Sequence, residues 1–176
     1  PEGGMSGGQQ GGAPAGGMPA GGMPGGMGGG TGAVTATFRE VTLDGDIVNS
    51  NTGESDVVVN LENSTITGAI TTAIGTHAVG PNGEQLVMQD KTDLYYLIGE
   101  ETHEYCDTGE KYGVKVSLDA GSSWVVDKTS YITELTIAEG ASITAAEGYA
   151  LTMTVNGSEN PVKAGTYKGK IVLAVK

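Results

Sequence analysis

Apolar and polar residues alternate in short runs from residue 33 to the end of the chain. A period of two places every other side chain on the same face of a strand, and the abundant Val, Ile and Thr favour strands. Gly and Asn separate the runs, as turn residues do. The pattern therefore predicts an all-β domain. Its predicted strands are 34–38, 41–48, 57–61, 65–71, 94–98, 114–118, 124–126, 131–137, 142–145, 151–155 and 171–175.

A short segment of this domain returns 23 residues later. TLDGDIV at 42–48 is followed by TITGAIT at 65–71, so that Leu43, Gly45 and Ile47 recur as residues of the same class. A spacing of 23 residues is too long for a hairpin and suits one turn of a parallel β-helix, in which each coil contributes a short strand to each of three sheets. The repeat therefore predicts a parallel β-solenoid.

A second repeat supports the same fold. VVVNLE at 57–62 matches VKVSLD at 114–119, and after one inserted residue Trp124 falls in register with Ile66. Stacked coils place equivalent positions above one another, so Trp124 is expected in the core rather than on a binding surface. An antiparallel β-sandwich with a similar number of strands is the alternative, since the Asn-Gly pair at 156–157 favours a local hairpin.

The first 32 residues differ from the rest in composition. Residues 1–30 contain 15 of the 31 Gly, 4 of the 6 Pro and 4 of the 6 Met, and such a segment has few side chains to bury. Pro and Gly tolerate polyproline-II geometry, and Met fills irregular apolar gaps. We therefore predict an N-terminal polyproline-II-like arm over 1–32 and a solenoid domain over 33–176, interrupted by an irregular insertion at 75–112.

The formal net charge of −12 restricts the partners. A nucleic-acid-binding protein needs positive charge to neutralise phosphates, so nucleic acid is excluded as a partner. No apolar run approaches the roughly 20 residues that span a bilayer, and no membrane insertion is expected. Cys106 is the only cysteine, so an intrachain disulfide is impossible.

Several groups of polar residues could carry chemistry, and none has the full pattern that a catalytic or metal site requires. Asp44 and Asp46 are weak calcium candidates, because alternating oxygen ligands can hold Ca²⁺, although an ordinary polar strand face explains them equally well. His103 and Cys106 are too few for a closed zinc site. Arg39 is the only Arg, and no nucleophile elbow is present. The chain is therefore expected to be non-enzymatic and to need no cofactor.

Four tyrosines in the insertion could bind a sugar, because aromatic faces pack against apolar sugar C–H surfaces. They are Tyr95, Tyr96, Tyr105 and Tyr112. The alternative is that one ring of the 95–96 pair points into the core as the strand alternates.

The GGMPGG-type tract and the closing segments together resemble a known family. The shared positions are Ser122, Trp124, Val126, Ser130, Tyr131, Ile132, Leu135, Gly148, Tyr149, Leu151, Val155, Asn156 and Gly157. The chain resembles the C-terminal part of Gly/Pro/Met-rich right-handed parallel β-helix surface proteins of anaerobic Gram-positive bacteria. The resemblance implies a right-handed β-helix, an extracellular or cell-surface location, and adhesion, carbohydrate binding or scaffolding. It leaves 75–112 unexplained and transfers no catalytic residue.

These observations predict a non-enzymatic extracellular structural protein that self-assembles into a homopolymer, as a filament or surface-layer subunit. The alternative is a carbohydrate-binding or adhesion module on a flexible spacer, with a polysaccharide partner. Subunit contacts are expected from the arm, from strand 34–38 added to a neighbour by β-augmentation, or from an uncovered terminal strand at 170–176. The assembly candidates are Met18, Met23, Met27, Val34, Phe38, Ile171, Leu173 and Val175.

Overall fold

The computed structural model describes residues 32–77, Gly83 and 101–176. The predicted arm, with Met18, Met23 and Met27, lies outside the described residues except for Gly32. The predicted strand 94–98, with Tyr95 and Tyr96, also lies outside them.

The described residues form an all-β structure of fourteen strands. The strands are β1 (Val34–Arg39), β2 (Thr42–Asp44), β3 (Ile47–Asn49), β4 (Val57–Glu62), β5 (Thr65–Thr67), β6 (Ile70–His77), β7 (Glu101–Tyr105), β8 (Val114–Leu118), β9 (Ser123–Val126), β10 (Ser130–Ile137), β11 (Ser142–Ala145), β12 (Leu151–Val155), β13 (Ser158–Asn160) and β14 (Gly165–Val175).

The strands stack as a parallel β-solenoid of about four turns. Sheet 1 has the order β1-β4-β8-β10-β14-β12-β13, sheet 2 the order β11-β9-β5-β2, and sheet 3 the order β3-β6-β7. The first coil is β1–β2–β3 and the second is β4–β5–β6. All pairs from β1 to β10 in sheet 1, and all pairs in sheet 2, are parallel. The parallel β-helix is thereby confirmed, and the β-sandwich alternative is wrong.

The strand register confirms the repeats found in the sequence. Leu43 pairs with Ile66 across sheet 2, and Trp124 pairs with Ile66 on its other side. Val34 pairs with Val57 in the same way, so that β1 is the first strand of its own solenoid. The predicted strand 41–48 is divided into β2 and β3, because Gly45 turns the chain from sheet 2 to sheet 3.

The core runs along the inside of the coils. Its fully buried large side chains are Val59, Leu61, Ile66, Ile70, Val114, Val116, Leu118, Trp124, Leu135, Met153, Ile171 and Leu173. The indole Nε1 of Trp124 donates to the carbonyl of Gly68 at 2.9 Å, which satisfies its polar atom inside the core. The expectation that Trp124 belongs to the core is confirmed.

The C-terminal strands close the solenoid in a different way. The chain reverses at Asn156–Gly157, where both residues have positive φ, and so forms the hairpin that this pair favours. Strand β14 then lies antiparallel between β10 and β12. The expectation that 170–176 could be an uncovered edge is therefore corrected. Strand β14 is paired on both sides, and Ile171 and Leu173, 1% and 0% exposed, point into the core.

The predicted insertion at 75–112 leaves the solenoid later than expected. Strand β6 continues to His77, and β7 returns antiparallel along it. After β7, the amide of Cys106 donates to the carbonyl of Thr72 at 3.3 Å. The returning chain is thus attached to the second coil.

The stacking of Gly68 on Gly45 generates a test of the fold. Both have positive φ, +143° and +150°, where a side chain costs about 1–3 kcal/mol. A Cβ on Gly68 would overlap the carbonyl of Gly45, whereas a Cβ on Gly45 would meet open space. We expect Gly68→Ala to lower the free energy of unfolding by about 1–3 kcal/mol more than Gly45→Ala, the cost of overpacking. Urea denaturation measures this difference, and equal effects would contradict the stacking.

Candidate functional site at the first coil

The first coil has no strand on its outer side within the described residues. Strands β1, β2 and β3 each end the strand order of their own sheet. Because the three strands belong to one coil, the three open edges lie at the same end of the solenoid. We call this end the open coil.

The backbone of β1 presents hydrogen-bonding groups to the open side. The amides of Val34 and Glu40 donate to the carbonyls of Asp56 and Glu62, at 2.8 and 2.9 Å, so the even-numbered positions of β1 face β4. Since these groups alternate along a strand, those of Thr35, Thr37 and Arg39 face outward. Such a row of unpaired groups is a template for another strand.

The inner side chains of the open coil are incompletely covered. Phe38, Leu43 and Ile47 are half-buried, although all three pack against the core. Their equivalents one coil further on are Leu61, Ile66 and Ile70, which are 1%, 0% and 0% exposed.

Two valines of the same coil are exposed to a larger extent. Val34 is 58% and Val41 is 40% exposed. Comparable exposure occurs away from this coil at Ile74 and Tyr149, 50% and 61% exposed. The end of the core is nonetheless left open to solvent at this coil.

The opposite end of the solenoid is covered. The antiparallel strands β12 and β14 lay Met153 and Leu173, both fully buried, against the core, and Tyr167 and Val162 pack beside them. Strand β11 also ends its sheet, yet its inner residue Ile143 is only 9% exposed. The two ends therefore differ in strand arrangement, although half-buried apolar residues, Leu151, Val155 and Val175, also occur at the end that the antiparallel strands cover.

Asp46 anchors the open coil to the rest of the solenoid. Its Oδ1 accepts the amide of Ala69 at 2.8 Å, and its Oδ2 accepts the hydroxyl of Tyr105 at 2.6 Å and the Nζ of Lys128 at 2.7 Å. One carboxylate thus connects the first coil to the second, to the corner before β10, and to the returning strand β7.

The contacts at this anchor shift the pKa values of Asp46 and Tyr105. Burial opposes ionisation of Asp46, but the hydrogen bonds from Lys128, Tyr105 and Ala69 outweigh it and lower the pKa of Asp46. Burial, together with the hydrogen bond to the Asp46 carboxylate, raises the pKa of Tyr105 to about 12. The pair therefore stays as a carboxylate and a neutral phenol at physiological pH.

The same contacts argue against the calcium candidates. The oxygens of Asp46 face three hydrogen-bond donors, one of them an ammonium group, which repels a cation. Within 32–77 and 101–176, no group of three or more His, Cys, Asp or Glu side chains is arranged to hold a metal ion. The contacts of Asp46 thus give this carboxylate a structural role, and calcium binding at Asp44 stays an untested prediction.

Of the four candidate tyrosines, only Tyr105 and Tyr112 lie among the described residues, and both hydroxyls have polar contacts. The Tyr105 hydroxyl is engaged by Asp46, and the Tyr112 hydroxyl lies 2.9 Å from the Nζ of Lys111, which also sits 4.6 Å from the ring centroid. Tyr105 is a structural link in this arrangement. Carbohydrate binding through Tyr95 and Tyr96 stays a prediction, because both lie outside the described residues.

Sequence reasoning identified some of these contacts and missed others. The 23-residue repeat places Asp46 beside Ala69, which a repeat-based alignment could have revealed. Lys128 lies 82 residues from Asp46 in the sequence, and no local signal links them. The open state of the first coil also required the pairing of all three sheets.

Comparison with protein-family models, curated protein sequences and solved structures gives no match. The site is therefore interpreted from its own geometry. The part of the chain that the structure describes contains no helix that could cross a membrane.

The Asp46 anchor predicts a defined pH dependence. A carboxyl group whose pKa is lower in the folded state stabilises the fold above its unfolded pKa of about 3.9, and this stability is lost as the pH falls through the folded pKa. Asp46→Asn removes this contribution, so we expect it to lower the free energy of unfolding at pH 7 by about 1–3 kcal/mol. The difference from wild type should shrink as the pH falls below about 4.

Urea denaturation at a series of pH values measures this effect. The matched control is Asp44→Asn, an exposed carboxylate two residues away, which should change stability by less than about 0.5 kcal/mol. Equal effects of the two substitutions at pH 7 would contradict the role of Asp46.

Proposed function

We propose that this protein is a non-enzymatic extracellular structural protein that self-associates through the open coil. The observation that carries the proposal is the contrast between equivalent inner positions. Leu43 and Ile47 are half-buried, whereas Ile66 and Ile70, one coil further on, are fully buried. A neighbouring strand layer on the open coil would remove this difference.

The free energy of such a contact has two sources. Burial of apolar surface contributes about 25 cal/mol per Å², and Val34, Val41, Phe38, Leu43 and Ile47 all present such surface. Main-chain hydrogen bonds along β1 add affinity and fix the strand direction, as in β-augmentation. Both terms act at one end of the molecule.

The roles of the carboxylates support a structural function. Asp56 accepts the amide of Gly113 at 2.8 Å and the Nζ of Lys115 at 2.6 Å. Asp119 accepts the amide of Asn63 at 3.0 Å. Like Asp46, they connect one coil to the next. These three carboxylates are thus used to hold coils together.

Growth into a filament would need a second, different contact surface, because identical end-to-end contacts close after one partner. The C-terminal end is covered by β12 and β14. The arm with Met18, Met23 and Met27 is one candidate for that second surface, and the edge strands β11 and β13 are another. The resemblance to bacterial β-helix surface proteins supports the extracellular location, which protease accessibility on intact producing cells would test.

A proline in β1 tests the proposed contact. The amide of Thr37 faces the open side, so Thr37→Pro removes a donor that β4 does not use, which an edge strand tolerates. Each lost hydrogen bond contributes about 0.5–1.5 kcal/mol, and a proline also hinders strand addition sterically. We expect the substitution to weaken self-association at least about tenfold. Analytical ultracentrifugation over a concentration series measures this.

Two variants serve as controls. Thr37→Ala removes the same hydroxyl but keeps the amide, and should weaken self-association far less than Thr37→Pro does. Replacement of Met18, Met23 and Met27 by Ser in the full chain tests the arm and should leave the coil contact intact. The proposal would be refuted if the wild-type chain sediments as a monomer at all concentrations. It would also be refuted if the arm variant abolishes association and Thr37→Pro leaves it unchanged.

A further inference from the structure

We infer that two copies of the chain pair their β1 strands in antiparallel orientation, about a two-fold axis that passes through Ala36. The inference rests on the proposed function and specifies its partner and register. The product is a closed dimer with one sheet running through both copies.

The upstream segment of the same chain is a poor occupant for this edge. A strand that covers the open coil must supply backbone donors and apolar side chains at alternate positions. Residues 1–31 contain no Val, Ile, Leu, Phe, Tyr or Trp, their four Met do not fall at alternate positions, and four residues are Pro, which lacks an amide hydrogen. A second open coil supplies both requirements.

The side-chain pattern of β1 fits itself in antiparallel orientation. Val34, Ala36 and Phe38 share its inner face, and Thr35 and Thr37 share its outer face. With Ala36 opposite Ala36 of the second copy, Phe38 lies opposite Val34 and Thr35 lies opposite Thr37. Aromatic–β-branched and Thr–Thr pairs are both favourable across strands, and no charged residue opposes another between 34 and 38.

The hydrogen-bonding groups agree with the same register. The backbone groups of Thr35 and Thr37 face the open side. In an antiparallel pair, two such residues placed opposite each other exchange both N–H···O bonds. The Thr35–Thr37 pair of this register is therefore a hydrogen-bonded pair, and the Ala36 pair is a non-hydrogen-bonded one.

The two-fold axis also matches the other two edges. It exchanges sheet 2 of one copy with sheet 3 of the other, so that β2 meets β3. Leu43 of one copy then lies near Ile47 of the other, and both are half-buried in the single chain. A head-to-tail arrangement lacks this match, because the edge strand that sheet 1 offers at its other end, β13, has only three residues.

Net charge opposes the dimer and provides a signature. Each chain carries a formal net charge of −12, so two copies repel each other electrostatically. Salt screens this repulsion. The dimer should therefore tighten as the salt concentration rises, whereas a contact held by ion pairs would weaken.

Paired cysteines test the register in the full chain. Cys106→Ser provides a background without thiols. In this background, Thr35→Cys with Thr37→Cys places two cysteines opposite each other, at a Cα separation of about 5.5 Å, which suits a disulfide. In each single variant, the introduced cysteines of the two copies lie two residues apart along the paired strands. Their Cα separation is then beyond the roughly 7 Å limit for a disulfide. Non-reducing electrophoresis after mild oxidation measures the product.

We expect a covalent dimer from the double variant and none from either single variant, with sedimentation that stops at two chains. Cross-linking of a single variant, or growth beyond two chains, would overturn the inferred register or the closed dimer. If wild type dimerises and Thr37→Pro blocks it, yet no variant cross-links, the antiparallel pairing fails while the proposed function survives. If wild type is monomeric, both fail.

Discussion

Parallel stacking of equivalent positions is the constraint on which this structure depends. Each coil hydrogen-bonds to the next in register, so the inner residue of one coil must pack on the inner residue of another. Leu43, Ile66, Trp124 and Ile143 form one such column across sheet 2. The close approach of Gly68 to Gly45 follows from the same register, because the turn of one coil lies directly on the turn of its neighbour.

Polar side chains hold the corners where the backbone leaves the sheets. The amide of Val41 donates to the Ser64 hydroxyl, and the amide of Ser64 donates to the Ser122 hydroxyl, both at 3.1 Å. Asp46, Asp56 and Asp119 act similarly with charge-assisted bonds, which are stronger than neutral ones. An acidic chain can therefore remain folded, because part of its negative charge satisfies backbone donors between coils.

A solenoid built in this way has two ends, and here they are unlike. The antiparallel strands after Ala145 cover one end and bury Met153 and Leu173. The other end leaves Val34 exposed and Leu43 half-covered, with a free row of backbone groups on β1. The terminal coils of a repeating fold must be covered, either by a capping segment or by another chain. The proposed self-association would cover the first coil with a second copy.

The sequence by itself determined the repeating part of the protein. Stacking selects similar residues at equivalent positions and so leaves a repeat in the sequence. The sequence therefore predicted the 23-residue spacing, the alternation within strands and the alignment of Trp124 with Ile66. The Asn156–Gly157 hairpin was predictable for a local reason, because its turn requires positive φ values that Asn and Gly tolerate. The tertiary structure alone decided which contacts break the repeat. Three such features are the contacts of Asp46 with Lys128 and Tyr105, the position of β14 between β10 and β12, and the open first coil. They depend on residues far apart in the sequence. Because each occurs once, it leaves no repeating pattern from which it could be predicted.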